Sequence, residues 1–319
     1  VSGAASLGGH LWTIAPRLRH ALAPREAPAA GDWSTTLADP VAGEVRLSGR
    51  LRDEAGDALV LVVHGLGGSA DSHYAVRMAR AAARAGVACL RLNLRGADRR
   101  GDDFYHAGLT ADVHAALADP ALARYPRVAL VGYSLGGHLV LRAAAEELDR
   151  RVRAAAAVST PLDLALSCAT IDRPQATLYR RYVMRSLKEI YAAVAARRPV
   201  PLPPAVAAAI ESLREWDEEI VAPRHGFASA DEYYRTQSAG PRLGGLRLPT
   251  LLVEAENDPM VPAATVRPWL RQRLPALEVH WVASGGHAAF PSQLDLGLGG
   301  GSSPERGLEA QILAWLGRR

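Results

Sequence analysis

Between Asp57 and Pro161, apolar runs of strand length alternate with stretches of helical character. The run A-L-V-L-V-V-H-G, Ala58 to Gly65, is continuously apolar and closes on glycine, the pattern of a parallel strand covered on both faces. A helix is predicted next, A-V-R-M-A-R-A-A-A-R-A-G from Ala75 to Gly86, built of strong helix formers and closed by a glycine. The order then repeats. A strand spans Val87 to Gly96, a helix runs from about Thr110 to Ala118, a strand from Val128 enters Gly132 with a helix behind it, and a strand spans Ala154 to Pro161. Repeated β-α-β order implies an α/β fold, a mostly parallel, doubly wound sheet with right-handed crossovers. Short alternating segments from Trp33 to Leu51 supply one or two edge strands.

After Pro161 the rhythm stops. Residues 162–240 read as helices and loops without a strand, so they are expected to form a helical cap inserted into a core made of residues 1–161 and 241–319. Within the insertion, Leu178 to Tyr191 is helical and P-V-P-L-P-P breaks the chain at Pro199 to Pro204. Trp216, Phe227, Tyr233 and Tyr234 supply aromatic surface there. Strands return at T-L-L-V-E-A-E-N-D, Thr250 to Asp258, and at L-E-V-H-W-V, Leu277 to Val282. The glycine cluster from Gly297 to Gly301, with Ser302 and Ser303, reads as a loop, and a last helix spans Glu305 to Leu316.

Composition narrows the class. With 319 residues, 49% hydrophobic and 22% charged, the chain can bury a large core and lacks the make-up of a disordered protein. The net charge of +4 comes from arginines interleaved with acids, Lys188 being the only lysine, so the basic balance is a solvated surface and not a nucleic-acid footprint. Cys89 and Cys168 form neither a disulfide framework nor a metal cluster, which fits a reducing compartment, the cytoplasm. No apolar run reaches the roughly 18 residues of a spanning helix. The start lacks the basic and long apolar regions of a signal peptide, although a start at Val1 instead of Met leaves a removed leader open. Contact of the N-terminal L-W-T-I-A-P-R-L segment with a membrane surface also stays open, as does the oligomeric state.

The chemistry gathers at G-Y-S-L-G-G, Gly132 to Gly137. A serine two residues from glycine on either side, with a buried strand before it and a helix after it, fits a sharp turn that exposes the Ser134 hydroxyl above the carboxyl edge of the sheet. A serine hydroxyl needs a base to take its proton, and the base needs an acid to orient it. Asp258, in the proline-bounded D-P-M-V-P, and His287, in S-G-G-H-A-A-F, each follow a late strand and are placed for these roles. Glu254 and Glu256 are rival acids on or near the strand. H-G-L-G-G, His64 to Gly68, follows an early strand, so the amides of Leu66 and Leu135 are assigned as donors to a developing oxyanion. His10, His106 and His225 lack metal-ligand spacing and read as structural histidines. Asp103 reads as a loop carboxylate and Asp112 as a helix-start residue.

Together these residues resemble an α/β-hydrolase, and more narrowly the YheT/EMB8-type esterase branch, which also holds lipid hydrolases of the ABHD type. The narrower likeness rests on G-H-L-W-T-I-A-P-R-L at Gly9, H-G-L-G-G-S at His64, L-R-G at Leu94 and Y-H-A-G at Tyr105. It continues through the elbow, W-D-E-E-I-V-A-P-R-H-G-F-A-S-A-D-E-Y-Y at Trp216, N-D-P-M-V-P at Asn257 and G-G-H-A-A-F at Gly285. The family order of serine, acid and histidine falls on Ser134, Asp258 and His287. His138, where relatives tend to have Asn, is expected to bear on the pocket wall, and Trp12 replaces a commoner Gln. The resemblance implies hydrolysis of carboxylic esters with medium-chain or lipid-like acyl groups, without metal or organic cofactor. Acyl transfer to an alcohol, thioester cleavage and a non-catalytic binding module are the alternatives.

Overall fold

The computed structural model describes residues 6–24, 26–299 and 306–319. Eight strands form one sheet: β1 Gly31–Asp39, β2 Gly43–Arg52, β3 Ala58–Val63, β4 Ala88–Asn93, β5 Arg127–Tyr133, β6 Val152–Val158, β7 Thr250–Ala255 and β8 Leu277–Val282. Their spatial order is β1-β2-β4-β3-β5-β6-β7-β8. The first two are antiparallel edge strands and all pairs from β4 to β8 are parallel. The order reverses beside β3, between β4 and β5, and a crevice opens at the carboxyl ends of strands around such a reversal.

The apolar run of β3 is explained by its two covered faces. Leu59, Leu61 and Val63 enter one apolar cluster and Val60 and Val62 another, the two-residue alternation of a strand buried on both sides. One face is covered by α2 (His73–Arg84) and the C-terminal helix Leu308–Leu316. The other is covered by α3 (Ala111–Ala118) and α4 (Leu135–Ala144). Gly86 ends the α2 segment at φ +64°, where a side chain would be strained. Of the glycine-serine loop, Gly300 to Ser303 lie outside the described residues, as does Glu305.

Between β6 and β7 the chain forms α5 (Leu164–Ile171), α6 (Thr177–Ala195), several short turns and the helix Ala230–Gln237, with no strand. Pro204 ends the proline run by opening the short helix Pro204–Ala209, where a missing N–H costs nothing. Trp216, Tyr233 and Tyr234 are not surface but interior, each under a tenth exposed, and they join the same apolar cluster as Leu61 and Leu92 of the sheet. Phe227 is partly buried against that cluster. The sequence pattern did not mark α1 (Leu7–Leu22) as a helix. It is capped by Ser6, whose side chain accepts from the Gly9 amide.

Candidate active site

At the end of β5 the backbone turns into α4 through Ser134, which holds φ +55° and ψ −122°. Such a non-glycine conformation costs on the order of 1–3 kcal/mol and persists only where the surroundings enforce it. Here the Ser134 N–H donates to the Val158 carbonyl at 2.8 Å and its carbonyl accepts from the His138 N–H at 3.0 Å. A Cβ on Gly132 would overlap the Gly136 backbone, and one on Gly136 would overlap the carbonyls of Val63 and His64. The glycines exist so that strand, turn and helix can approach this closely.

The Asp258 loop forms locally. Proline favours an extended residue before it, and the Asp258 Oδ1 accepts from the Met260 and Val261 N–H groups at 2.8 and 3.0 Å. That leaves Oδ2 for His287, whose Nδ1 lies 2.9 Å away. Asp258 is 2% exposed, so this hydrogen bond works with little water around it. Because a carboxylate only accepts, the His287 ring carries its proton on Nδ1 and presents a lone pair from Nε2. Nε2 lies 2.8 Å from Ser134 Oγ. The structure thus brings together Ser134, His287 and Asp258 from three separate loops. Glu254 instead points into the protein, fully buried on β7, accepting from the Thr160 N–H at 2.7 Å, and burial holds its carboxyl well above the usual range. Glu256 pairs with Arg267.

In the loop after β3, three of four amides are engaged. The Gly65 N–H donates to Tyr74 Oη at 2.9 Å, Gly67 N–H to Tyr105 Oη at 2.7 Å, and Gly68 N–H to the Gly65 carbonyl at 3.0 Å. Leu66 is left with no acceptor among the described residues, and so is Leu135 at the first position of α4. Both residues line one cavity with Ser134 and His287. Two N–H groups beside a serine, one at the positive end of a helix, can hold negative charge on a substrate oxygen.

That cavity has a volume of about 880 Å³. The insertion supplies much of its wall, including Leu164, Ile171, Val183, Trp216 and Tyr234. Asp217 is also on the wall, its Oδ2 accepting from Tyr234 Oη at 2.7 Å. Burial pushes the Asp217 carboxyl up to about 7, Asp172 adding to the shift and the Tyr234 hydrogen bond opposing it.

Sequence reasoning missed what holds the histidine. The His287 N–H donates to Thr13 Oγ1 at 2.8 Å, and Thr13 Oγ1 donates to the Gly9 carbonyl at 2.8 Å. Gly9 sits against Asn257 and Gly286 against Gly9 and Thr13, each too close for a Cβ. One turn of α1 therefore clamps both the acid loop and the base loop. The next amide, Ala288 N–H, donates to Ser159 Oγ at 3.0 Å. Thr13 stood within a motif already noted, but nothing in a linear pattern links it to a histidine 274 positions away.

Other expectations need correction. His138 does not reach the cavity wall: it is buried between the carbonyls of Pro161 and Gln237, at 2.7 and 2.8 Å, tying α4 to the end of the Ala230–Gln237 helix. Asp103 and Asp112 are not simple loop and capping groups. Both are buried on the fully buried Arg95, which also reaches Asp39. His106 packs against His225 with ring centres 4.4 Å apart and the rings tilted by 51°, and His106 borders the cavity. His10 contacts Tyr179 Oη at 2.7 Å through Nδ1. Among the described residues no group of three or more His, Cys, Asp or Glu could hold a metal ion.

A model of the alpha/beta hydrolase family matches residues 60–295. The chain belongs to the α/β-hydrolase family. It is 33% identical over 265 residues to the "Putative esterase YheT" of Escherichia coli K12, covering 81% of this chain and 76% of that protein. The "Medium-chain fatty acid ethyl ester synthase/esterase 2" of Saccharomyces cerevisiae is 28% identical over 233 residues, 64% of this chain and 51% of its own length. This α/β-hydrolase thus spans about half of that relative. Among solved structures, a Pyrococcus furiosus esterase superposes with a TM-score of 0.54 at 16% identity, over 81% of this chain and 84% of that one, a likeness of fold.

Proposed function

We propose that this α/β-hydrolase cleaves carboxylic esters through an acyl-enzyme on Ser134, with medium-chain or lipid-like acyl groups held under a cap of residues 162–240. The observation that carries the reading is the chain of contacts from Ser134 Oγ through His287 to buried Asp258, facing the cavity that the two unengaged amides also border. Ser134 Oγ attacks the ester carbonyl as Nε2 of His287 takes its proton, and the Leu66 and Leu135 amides donate to the resulting oxyanion. The same Nε2–H then protonates the leaving alcohol. Water adds to the acyl-enzyme by the same route, releasing the acid and the free serine. Asp258 holds the ring in the required tautomer and balances its transient charge. No cofactor enters these steps. Support for the cap's extent comes from its two ends, which meet where the Gly240 N–H donates to the Leu162 carbonyl at 2.8 Å.

Ser134→Ala should abolish labelling by a fluorophosphonate and lower kcat on a p-nitrophenyl ester by roughly 10³-fold or more. Turnover near the wild-type rate in that variant would defeat the mechanism. A second reading, delivery of the acyl group to an alcohol, is favoured by the printed name of the yeast relative, which joins synthesis and hydrolysis. Adding ethanol to a medium-chain ester assay and separating free acid from ethyl ester decides between them.

A further inference from the structure

α1 has two working sides. Its inner side, through Gly9 and Thr13, grips the acid and base loops. On its outer side Leu7, Leu11, Leu18 and Leu22 are 85%, 66%, 56% and 86% exposed. At about 100° per residue these four leucines fall within about 60° of arc, a single stripe along the helix. Leu18 and Arg17 belong to the cavity wall, together with Leu178 and Tyr182 of α6, which are themselves exposed. The Arg17 guanidinium lies over the Tyr182 ring. The leucine stripe therefore runs directly into the mouth of the cavity.

The charge around this mouth has one sign left over. Arg17 of the cavity wall, Arg19 two residues on in α1, and Arg181 next to the wall residue Tyr182 form no ion pair among the described residues, whereas the acids of the wall, Asp71 and Glu189, are paired with Arg91 and with Arg99 and Arg185. α1 itself contains no acidic residue. Arg17 and Arg19 flank the stripe on opposite sides, as in helices that lie in a bilayer interface. A second copy of the chain fits less well, because pairing two such helices would set arginine against arginine with no acid from either helix to answer it.

We infer that this face docks on an anionic lipid surface, with the α1 leucines in the acyl boundary, and that the ester reaches Ser134 from that surface through the Leu18–Leu178 mouth. The inference rests on reading the site as an ester hydrolase. Arginines at the rim meet the lipid phosphates, and the rigid link from α1 to His287 keeps the mouth against the surface while the chemistry proceeds.

The test is flotation of the full chain with vesicles of phosphatidylcholine alone and of phosphatidylcholine mixed with phosphatidylglycerol. The wild type is expected to float with the mixed vesicles and to be partly released by high salt. The triple variant Leu7→Gln, Leu11→Gln, Leu22→Gln, whose positions lie outside the cavity wall, should partition at least about tenfold less. Its kcat/KM on a water-soluble acetate ester should stay within about twofold, while activity on an ester dispersed in mixed vesicles falls with binding. Arg19→Glu with Arg181→Glu, which spares the leucines, should also weaken flotation. Wild type that does not float with mixed vesicles, or a triple variant that floats as well as wild type, overturns the inference. So does a dimer dissolved by the triple substitution in the absence of flotation. Flotation is read without catalysis, so loss of the ester-hydrolase reading and loss of docking are separate results.

Discussion

Thr13 contributes one hydroxyl, and the position of the candidate base depends on it. Its Oγ1 is the acceptor for the His287 N–H, and Thr13 is 8% exposed, so water cannot replace it freely. Thr13→Val keeps the shape and leaves that N–H without a partner, at a cost of about 1–3 kcal/mol. We expect kcat to fall about tenfold with KM little changed, since a shifted base affects proton transfer more than binding, and Thr13→Ser to restore it. Equal kinetics in the valine variant would remove Thr13 from the positioning of His287. Asp217 provides a pH signature. Its folded carboxyl is raised to about 7 from an ordinary 3.8, so the folded state keeps a proton that the unfolded chain releases. Its contribution to stability is complete below about pH 4 and is lost as pH rises toward 7. Thermal melts of Asp217→Asn between pH 5 and 8 should accordingly decline less with rising pH than those of the wild type. Parallel melting curves would show that Asp217 does not carry this dependence.

At the scale of elements, a ten-residue helix and a seven-residue strand meet at a residue that neither would choose alone. The strain at Ser134 is tolerated because Gly132 and Gly136 allow β3, β5 and α4 to pack closer than side chains would permit. The insertion acts differently, since its helices bring apolar groups to the cavity and no group to the reacting atoms. Trp216 packs edge-on against Tyr191, ring centres 5.6 Å apart, and borders the cavity. Trp216→Ala should cost about 1–3 kcal/mol in kcat/KM per lost methylene-sized contact on octanoate and palmitate esters while sparing acetate. A common loss across acetate, butyrate, octanoate and palmitate would make Trp216 a support of the fold instead.

Across the whole molecule, one buried cation joins the pieces. Arg95, just after β4, bonds Asp112 of α3 through Nε at 2.9 Å and Nη2 at 2.7 Å, Asp39 at the end of β1 at 2.6 Å, and Asp103 at 3.1 Å. Asp103 in turn accepts from Arg224 of the insertion at 2.8 Å. Removing the central charge leaves Asp112 buried without its cation and Asp103 with Arg224 alone. Arg95→Met should therefore destabilise the protein by about 3–5 kcal/mol, measurable by urea unfolding. A loss under about 1 kcal/mol would show that the acids find water or other partners.

Local patterns determined a good deal. The apolar runs at Ala58 and Val128 marked strands because a strand buried on both faces has to be apolar throughout. Although Gly136 answers to the distant Val63 and His64, G-Y-S-L-G-G marked the turn because Gly132 meets the Gly136 backbone only four residues on. Asp258 was legible for the same reason, its Oδ1 being satisfied by amides two and three residues on. The α1 helix was obscured by Pro16 and by leucines that face outward, so it lacks the inward apolar stripe that periodicity detects. Tertiary structure alone decided that Thr13 holds His287, that Asp103 and Asp112 share Arg95, and that His138 ties α4 to the insertion. These contacts pair groups that a sequence separates by anything from eight to 274 residues. A polar side chain carries no mark of its partner; only the folded chain brings a second group within hydrogen-bonding distance and excludes the water that would otherwise serve.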